Sequence, residues 1–217
     1  MIEDVVNGYV LSAFFHLEKL SLQGITDIIP CYSSLTVIYN LVQLKKESHF
    51  NFILEKITAA LMGVDWNAAL PSRLIEIPVC YEESFGPDLK RISAEKNLTV
   101  EKVISLHASK TYRVYMIGFL PGFAYMGLVD DRLAMPRKVN PDLSIKAGSI
   151  GIAGIQTGIY PTTSPGGWNI IGRTPITMFN VKSEDPAFLK AGDLVKFIPI
   201  SLKDFSSLNQ YRGTENS

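Results

Sequence analysis

Cysteine is scarce: Cys31 and Cys80 are the only two in 217 residues. A pair this far apart points to free thiols in a reducing compartment and not to a disulfide framework. Charge of either sign is not in excess, with 21 Lys plus Arg against 21 Asp plus Glu. The chain therefore has no basic field to draw in nucleic acid or an anionic membrane. No apolar run approaches the ~20 residues of a membrane span, and the acidic start, Glu3 and Asp4, is unlike the basic leader of a signal peptide. The expected compartment is the cytoplasm.

Catalytic and metal signatures are missing as well. No G-x-x-x-x-G-K-[ST] loop occurs; the nearest stretch, GSIGIAG (148–154), has no lysine after its glycines. There is no G-x-S-x-G elbow and no Cys–His pairing. His16, His49 and His107 are scattered, without the spacing of a metal site. No A-M-K-M-type lysine is present to carry biotin. A reaction run by this chain has no evident nucleophile of its own.

What the chain does have is concentrated at residues 116–175. Ten of the 16 glycines fall there, with five of the 12 prolines and Pro175 as a sixth at the edge. Phe119, Phe123, Tyr125, Ile150, Ile152, Ile155, Ile159, Tyr160, Trp168, Ile170 and Ile171 are interleaved with them. A disordered linker lacks such apolar content. Short strands joined by tight, ordered turns fit it better.

Around this stretch the periodicity predicts a helix over 3–21, with Val5, Tyr9, Ala13, Leu17 and Leu20 on its inward stripe. Strands follow at 25–30 and 34–40. A second helix at 47–62 is expected to turn Phe50, Ile53, Leu54, Ile57 and Leu61 inward. Residues 73–81 (RLIEIPVCY) read as a strand whose Pro78 implies an edge or a bulge. The order α-β-β-α-β is that of a split βαββαβ sandwich without its first strand. The sheet then closes another way, borrows a strand, or is completed by residues upstream. Helices at 87–96 and 99–107, the second capped by Thr99, precede a strand at 112–120. A last strand is expected at 193–200, a short helix at 202–211 and a loose polar tail at 212–217. The expected architecture is α+β: a small sandwich domain at 1–82 and a β-barrel domain at 83–217.

His107, the run TYRVYMIGFLPGFAYMGLVDDRLAMPRK (111–138) and the run AGSIGIAGIQTGIYPTTSPGGWNIIGRTP (147–175) together resemble the B subunits of the 5-oxoprolinase family. That family includes the sporulation-kinase inhibitor of bacilli and is also labelled allophanate hydrolase subunit 1. It is related to the carboxyltransferase region of urea amidolyase. The resemblance covers essentially the whole chain and departs from the family at the front, where a G-D-x-A-like strand motif is absent. It implies a cyclophilin-like barrel, work in a complex with the A and C subunits of 5-oxoprolinase, and ATP-driven opening of the cyclic amide 5-oxo-L-proline to L-glutamate. ATP with Mg would be bound by the complex, with no biotin and no structural metal. An alternative is a binding module that inhibits a sensor histidine kinase. Prolyl isomerisation rests on the barrel alone, and fold does not confer function.

Opening a lactam through its phosphorylated oxygen requires oxyanion donors, cations for phosphate and exclusion of water. The catalytic candidates are His107, Gln156 and Arg173. The commoner reading of His107 is a favourable end-charge or a packed ring at a helix end, and Gln156 with Thr157 read equally as groups that satisfy a loop. Candidates for substrate or nucleotide binding are Arg137, Gly154, Thr157, Tyr160, Ser164, Gly166, Gly167 and Trp168, with Lys146 a weaker cation. Tyr160 and Trp168 read also as barrel core, and Ser164 as turn chemistry. Phe119, Phe123 and Tyr125 are candidates for a partner interface.

Overall fold

The computed structural model describes residues 3–44 and 49–215. The chain forms two compact units, Met1–Pro71 and Ser72–Ser217.

The first unit holds α1 (Asp4–Leu20), β1 (Ile25–Pro30), β2 (Leu35–Tyr39), the short α2 (Leu41–Leu44) and α3 (His49–Leu61). β1 and β2 form an antiparallel hairpin running from Ile25 opposite Tyr39 to Pro30 opposite Leu35. α1 buries only part of the expected stripe, Ala13 and Leu17. Asn7, Leu11, Ser12, Ala13 and Leu17 are buried, while Val5, Tyr9 and Leu20 are exposed. The helix is turned by Asn7, whose Nδ2 donates to the carbonyls of Cys31 and Tyr32 at 3.1 and 3.3 Å. On α3, Ile53 is buried but Phe50 and Leu54 are exposed. A two-stranded sheet has too little area to cover a wide helix face. The start expected for this helix at residue 47 lies outside the described residues.

The strand expected at 73–81 does not join this sheet. β3 (Leu74–Cys80) lies in the second unit. The boundary therefore falls about ten residues before the expected 82, and no split βαββαβ sandwich forms among the described residues. β3 is instead drawn into a closed barrel of order β10-β3-β11-β4-β5-β8-β7. The other elements of this unit are α4 (Leu89–Lys96), α5 (Val100–Ser109), β4 (Thr111–Ile117), β5 (Ala124–Gly127), a 3-10 turn at Asp131–Leu133, β6 (Asp142–Ile145), β7 (Ser149–Ala153), β8 (Gln156–Ile159), β9 (Ser164–Gly166), β10 (Asn169–Arg173), β11 (Leu194–Ile200) and α6 (Leu202–Glu215).

β3 pairs in parallel with β11 along its full length, Leu194 opposite Leu74 to Ile200 opposite Cys80. On its other side a single pair, Arg173 with Cys80, joins it to β10. Pro78 is tolerated because this second side is almost free of ladder bonds. Alternation then sorts the barrel residues. Ile77, Val79, Tyr112, Val114, Ala124, Met126, Ile150, Ile152, Ile159, Ile171, Val195 and Phe197 form one buried cluster, which Leu89, Ile92, Val103 and Leu106 of α4 and α5 join. Thr99 caps α5 as expected, accepting from the Lys102 amide at 3.1 Å. α6 reaches Glu215, beyond the expected end at 211.

Candidate functional site

The glycine-rich stretch builds the outer face of strands β5, β8, β7 and β10. Glycine on this face lets large rings lie against the strands. A Cβ on Gly158 would stand 3.0 Å from the Phe123 ring and 3.0 Å from the Trp168 ring. Phe123, Tyr160, Trp168, Ile145, Ala153 and Ile170 make a second apolar cluster there, with Leu120 and Tyr125 packed on it. Phe123 is its hub: its ring lies 4.7 Å from Tyr125, 5.2 Å from Tyr160 and 5.4 Å from Trp168, centroid to centroid. The ribbon of β6 and β9 flanks the cluster, with Ile145 opposite Ser164.

This arrangement sorts the expected site residues. Tyr160 and Trp168 are core on this outer face, 1% and 4% exposed. Burial raises the Tyr160 hydroxyl to about 12, opposed by a hydrogen bond with the Trp168 backbone and by Arg137. Burial likewise raises Tyr125, again opposed by Arg137. Arg137 is exposed beside these rings. Gly154 is the exposed turn residue between β7 and β8, with φ +59°. Gly166 and Gly167 are half-buried at the end of β9, and the Gly167 carbonyl accepts from the Lys138 amide at 2.7 Å. Ser164 Oγ is buried without a hydrogen-bond partner among the described residues. Of the three aromatic interface candidates, Phe123 is core, Tyr125 is half-buried and Phe119 is 65% exposed.

His107, Gln156 and Thr157 are corrected. Gln156 and Thr157 were expected in a loop but form the start of β8, paired with β5 and β7, and both are buried. His107 is fully buried in the barrel core. Its Nδ1 and Nε2 are engaged by the Tyr81 hydroxyl and Thr157 Oγ1, each at 2.9 Å, and its ring stacks on Phe197 at 4.6 Å. Burial drives its pKa down to about 3. The ring is a neutral core group out of reach of any substrate in solvent. Its position at the end of a helix admits a packed ring but does not decide it, because the strands that enclose it are distant in sequence.

Arg173 opens onto a different feature. A cleft of about 460 Å³ runs beside the ribbon, lined by Phe85, Lys138, Asp142, Lys146, Ser149 and Arg173 among others. β10 sets Arg173 at its end, where Nε donates to the Ala147 carbonyl at 2.8 Å and the guanidinium carbon stands 5.9 Å from the Phe85 ring centre. Lys138 Nζ bridges Asp88 and Asp142 at 2.6 and 2.7 Å. Burial opposes its charge, but the two carboxylates outweigh that and raise its pKa.

Behind this wall lies a polar network that sequence reasoning missed. Asp88 accepts from the Ile170 amide at 2.7 Å, and Arg91 lies beside it. Asn169 is fully buried; its Nδ2 donates to the carbonyls of Pro136 and Ile152 at 2.9 and 2.8 Å, and Arg91 donates to its Oδ1. The network pins α4 and the segment before β6 to β10. Asp88 beside Pro87 marks a helix start in the sequence, but nothing there indicates a partner as far along the chain as Ile170. No group of three or more His, Cys, Asp or Glu among the described residues is placed to hold a metal ion. No described helix is long and apolar enough to cross a membrane.

The class to which this barrel belongs is given by its likeness to known proteins. The family model described as carboxyltransferase domain, subdomain C and D, matches residues 1–189. The 5-oxoprolinase B subunit of Bacillus subtilis (strain 168) is 40% identical over 215 residues, which cover 96% of this chain and 90% of that protein. The 5-oxoprolinase B subunit of Haemophilus influenzae is 44% identical over 145 residues, 67% of this chain and 66% of that one. The chain belongs to the family of 5-oxoprolinase B subunits, within the carboxyltransferase-domain proteins. Among solved structures, a conserved uncharacterized protein from Pyrococcus horikoshii matches with TM-score 0.60 and 42% identity, over 94% of this chain and 92% of that one. The K. lactis urea amidolyase matches with TM-score 0.71 at 16% identity, over 94% of this chain but 14% of that one, a likeness of fold.

Proposed function

We propose that this chain is one component of an ATP-dependent 5-oxoprolinase, which opens 5-oxo-L-proline to L-glutamate only when assembled with partners of the A and C type in the cytoplasm. The single observation that carries the reading is the 40% identity to a 5-oxoprolinase B subunit along almost the whole chain. The site geometry supports the dependence on partners. The second unit contains a single histidine, His107, and it is sealed in the core with both nitrogens engaged. No histidine base is left at the surface of the barrel to activate a serine or cysteine nucleophile. The Bacillus subtilis and Haemophilus influenzae relatives are both named as 5-oxoprolinase B subunits, which gives the kinase-inhibitor alternative no support.

In this reading the chain supplies a rigid wall. A lactam carbonyl is a poor electrophile, and phosphorylation of its oxygen makes a leaving group. Cations fixed in the cleft meet the charge that develops, and a partner closes the open side and excludes water. Gly166 is part of the ribbon on which substrate would rest, and Gly167 and Arg137 border it. Phe119 is the proposed partner contact: it projects from the turn between β4 and β5 with φ +68° and packs edge-on to Phe123 at 5.8 Å. The test is glutamate release from 5-oxoproline and ATP, measured with the purified chain alone and with both partners added. Release only from the full set supports the reading. Full activity from the single chain, or none from the set, defeats it.

A further inference from the structure

We propose that the cleft between the β6–β9 ribbon and the segment around Phe85 is an oxyanion site of this chain, with Arg173 as its fork and Lys146 as its second cation. Not every arginine of the barrel unit is paired: Arg113 and Arg137, like Arg173, make no ion pair among the described residues, and Arg113 and Arg137 are not in the cleft lining. Arg73 faces Asp193, Arg91 faces Asp88 and Glu95, and Arg132 faces Asp130, each within ion-pair distance. Arg173 lines an open cleft and makes no ion pair among the described residues; Asp142, which lines the same cleft, is paired with Lys138. It is nonetheless held in place. Its Nε donates to the Ala147 carbonyl, and its guanidinium lies near the Phe85 ring. The two terminal nitrogens have no hydrogen-bond partner among the described residues. A planar fork already fixed at Nε loses little freedom on binding and suits two oxygens of one anion.

Lys146 lines the same cleft, next in sequence to the residue that anchors Arg173, and it too has no ion pair among the described residues. Lys138 is different, since Asp88 and Asp142 already neutralise it. Ser84, Ser144 and Ser149 add hydroxyls to the lining. Two uncompensated cations, one a fork, with hydroxyls between apolar walls, fit a compact oxyanion of one or two charges. Under the 5-oxoprolinase reading that anion is either the phosphoryl group in transit or the carboxylate of the substrate. The proposal rests on that reading only for the source of the anion, because binding is a property of this chain by itself.

The experiment is titration calorimetry on the full chain alone at low ionic strength, with inorganic phosphate in one arm and 5-oxo-L-proline in the other. Saturable binding is expected. It weakens about tenfold in Arg173→Gln, less in Arg173→Lys and in Lys146→Gln, and is unchanged in Lys203→Gln on α6. Saturation by phosphate assigns the phosphoryl source, and saturation by 5-oxoproline alone assigns the carboxylate; both sustain an oxyanion site. Thermal unfolding checks that the variants fold, and Lys146→Gln carries the test if Arg173→Gln does not. No saturable binding of either probe, or equal binding by folded Arg173 and Lys146 variants, overturns it. An assembled complex inactive on 5-oxoproline leaves the binding result standing, so the two failures are distinguishable.

Discussion

Thr157 Oγ1 lies 2.9 Å from His107 Nε2 and 3.1 Å from the Gly151 carbonyl. A carbonyl only accepts, so the threonine proton goes to Gly151, and the hydroxyl accepts from the histidine. His107 is therefore the Nε2–H tautomer, and its Nδ1 accepts from Tyr81. The ring is satisfied only while neutral.

That fixes a pH dependence. The unfolded histidine titrates near 6.5 and the folded one near 3, so between these values the unfolded chain holds the extra proton. Stability conferred by the neutral ring is intact above 6.5 and falls as pH drops toward 3, by up to about 1.4 kcal/mol per pH unit. Urea unfolding of the wild type and His107→Gln at pH 7, 6 and 5 checks this. The variant is about 1–3 kcal/mol less stable at pH 7, and the gap narrows on acidification. A gap constant across that range contradicts the assignment.

Gly166 sits under the Tyr160 hydroxyl. A Cβ there would stand 2.2 Å from that oxygen and 2.8 Å from Ile145. Gly166→Ala is expected to displace Tyr160 from the outer aromatic cluster and cost about 1–3 kcal/mol. Denaturant unfolding that matches the wild type would show that the ribbon moves aside freely.

Asn169 holds two carbonyls and Arg91 at once. Asn169→Leu leaves those carbonyls and the guanidinium without this partner, and a loss of about 3 kcal/mol is expected. Hydrogen exchange locates the loss at α4 and β10. A variant as stable as the wild type would show that the cleft wall is held by something other than this network.

These residues also show how far the sequence is legible. Barrel strands alternate, and the glycine-aromatic interleaving marks β5 to β10 without any structure. β3 reads as a strand but not as a barrel member, because membership depends on parallel pairing with β11, about 120 residues later. Asn169 carries no local mark of burial, and the helix-end position of His107 only admits it, since their partners arrive from other strands. Arg173 is legible as an anion candidate. Its lack of an ion pair among the described residues is not, because pairing is decided by the fold. On α1 the apolar stripe misleads, since the Asn7 amide orients the helix and a periodicity of apolar residues ignores amides.

Phe119 is the most exposed of the aromatic candidates. Phe119→Ser is expected to leave the stability of the isolated chain within about 0.5 kcal/mol of the wild type, and to weaken assembly with partners about tenfold or more. Equal co-purification of both proteins with the partners excludes this residue from the interface.

The central claim is that this barrel forms part of a site completed by other polypeptides. Its most direct measurement is the rate of glutamate release from 5-oxoproline and ATP by the reconstituted complex, carrying either wild-type chain or Arg173→Gln. No release is expected from the chain alone and turnover is expected with its partners. Arg173→Gln lowers that rate roughly tenfold or more in a complex that still assembles. Turnover by the isolated chain, or an undiminished rate in the Arg173→Gln complex, contradicts the claim.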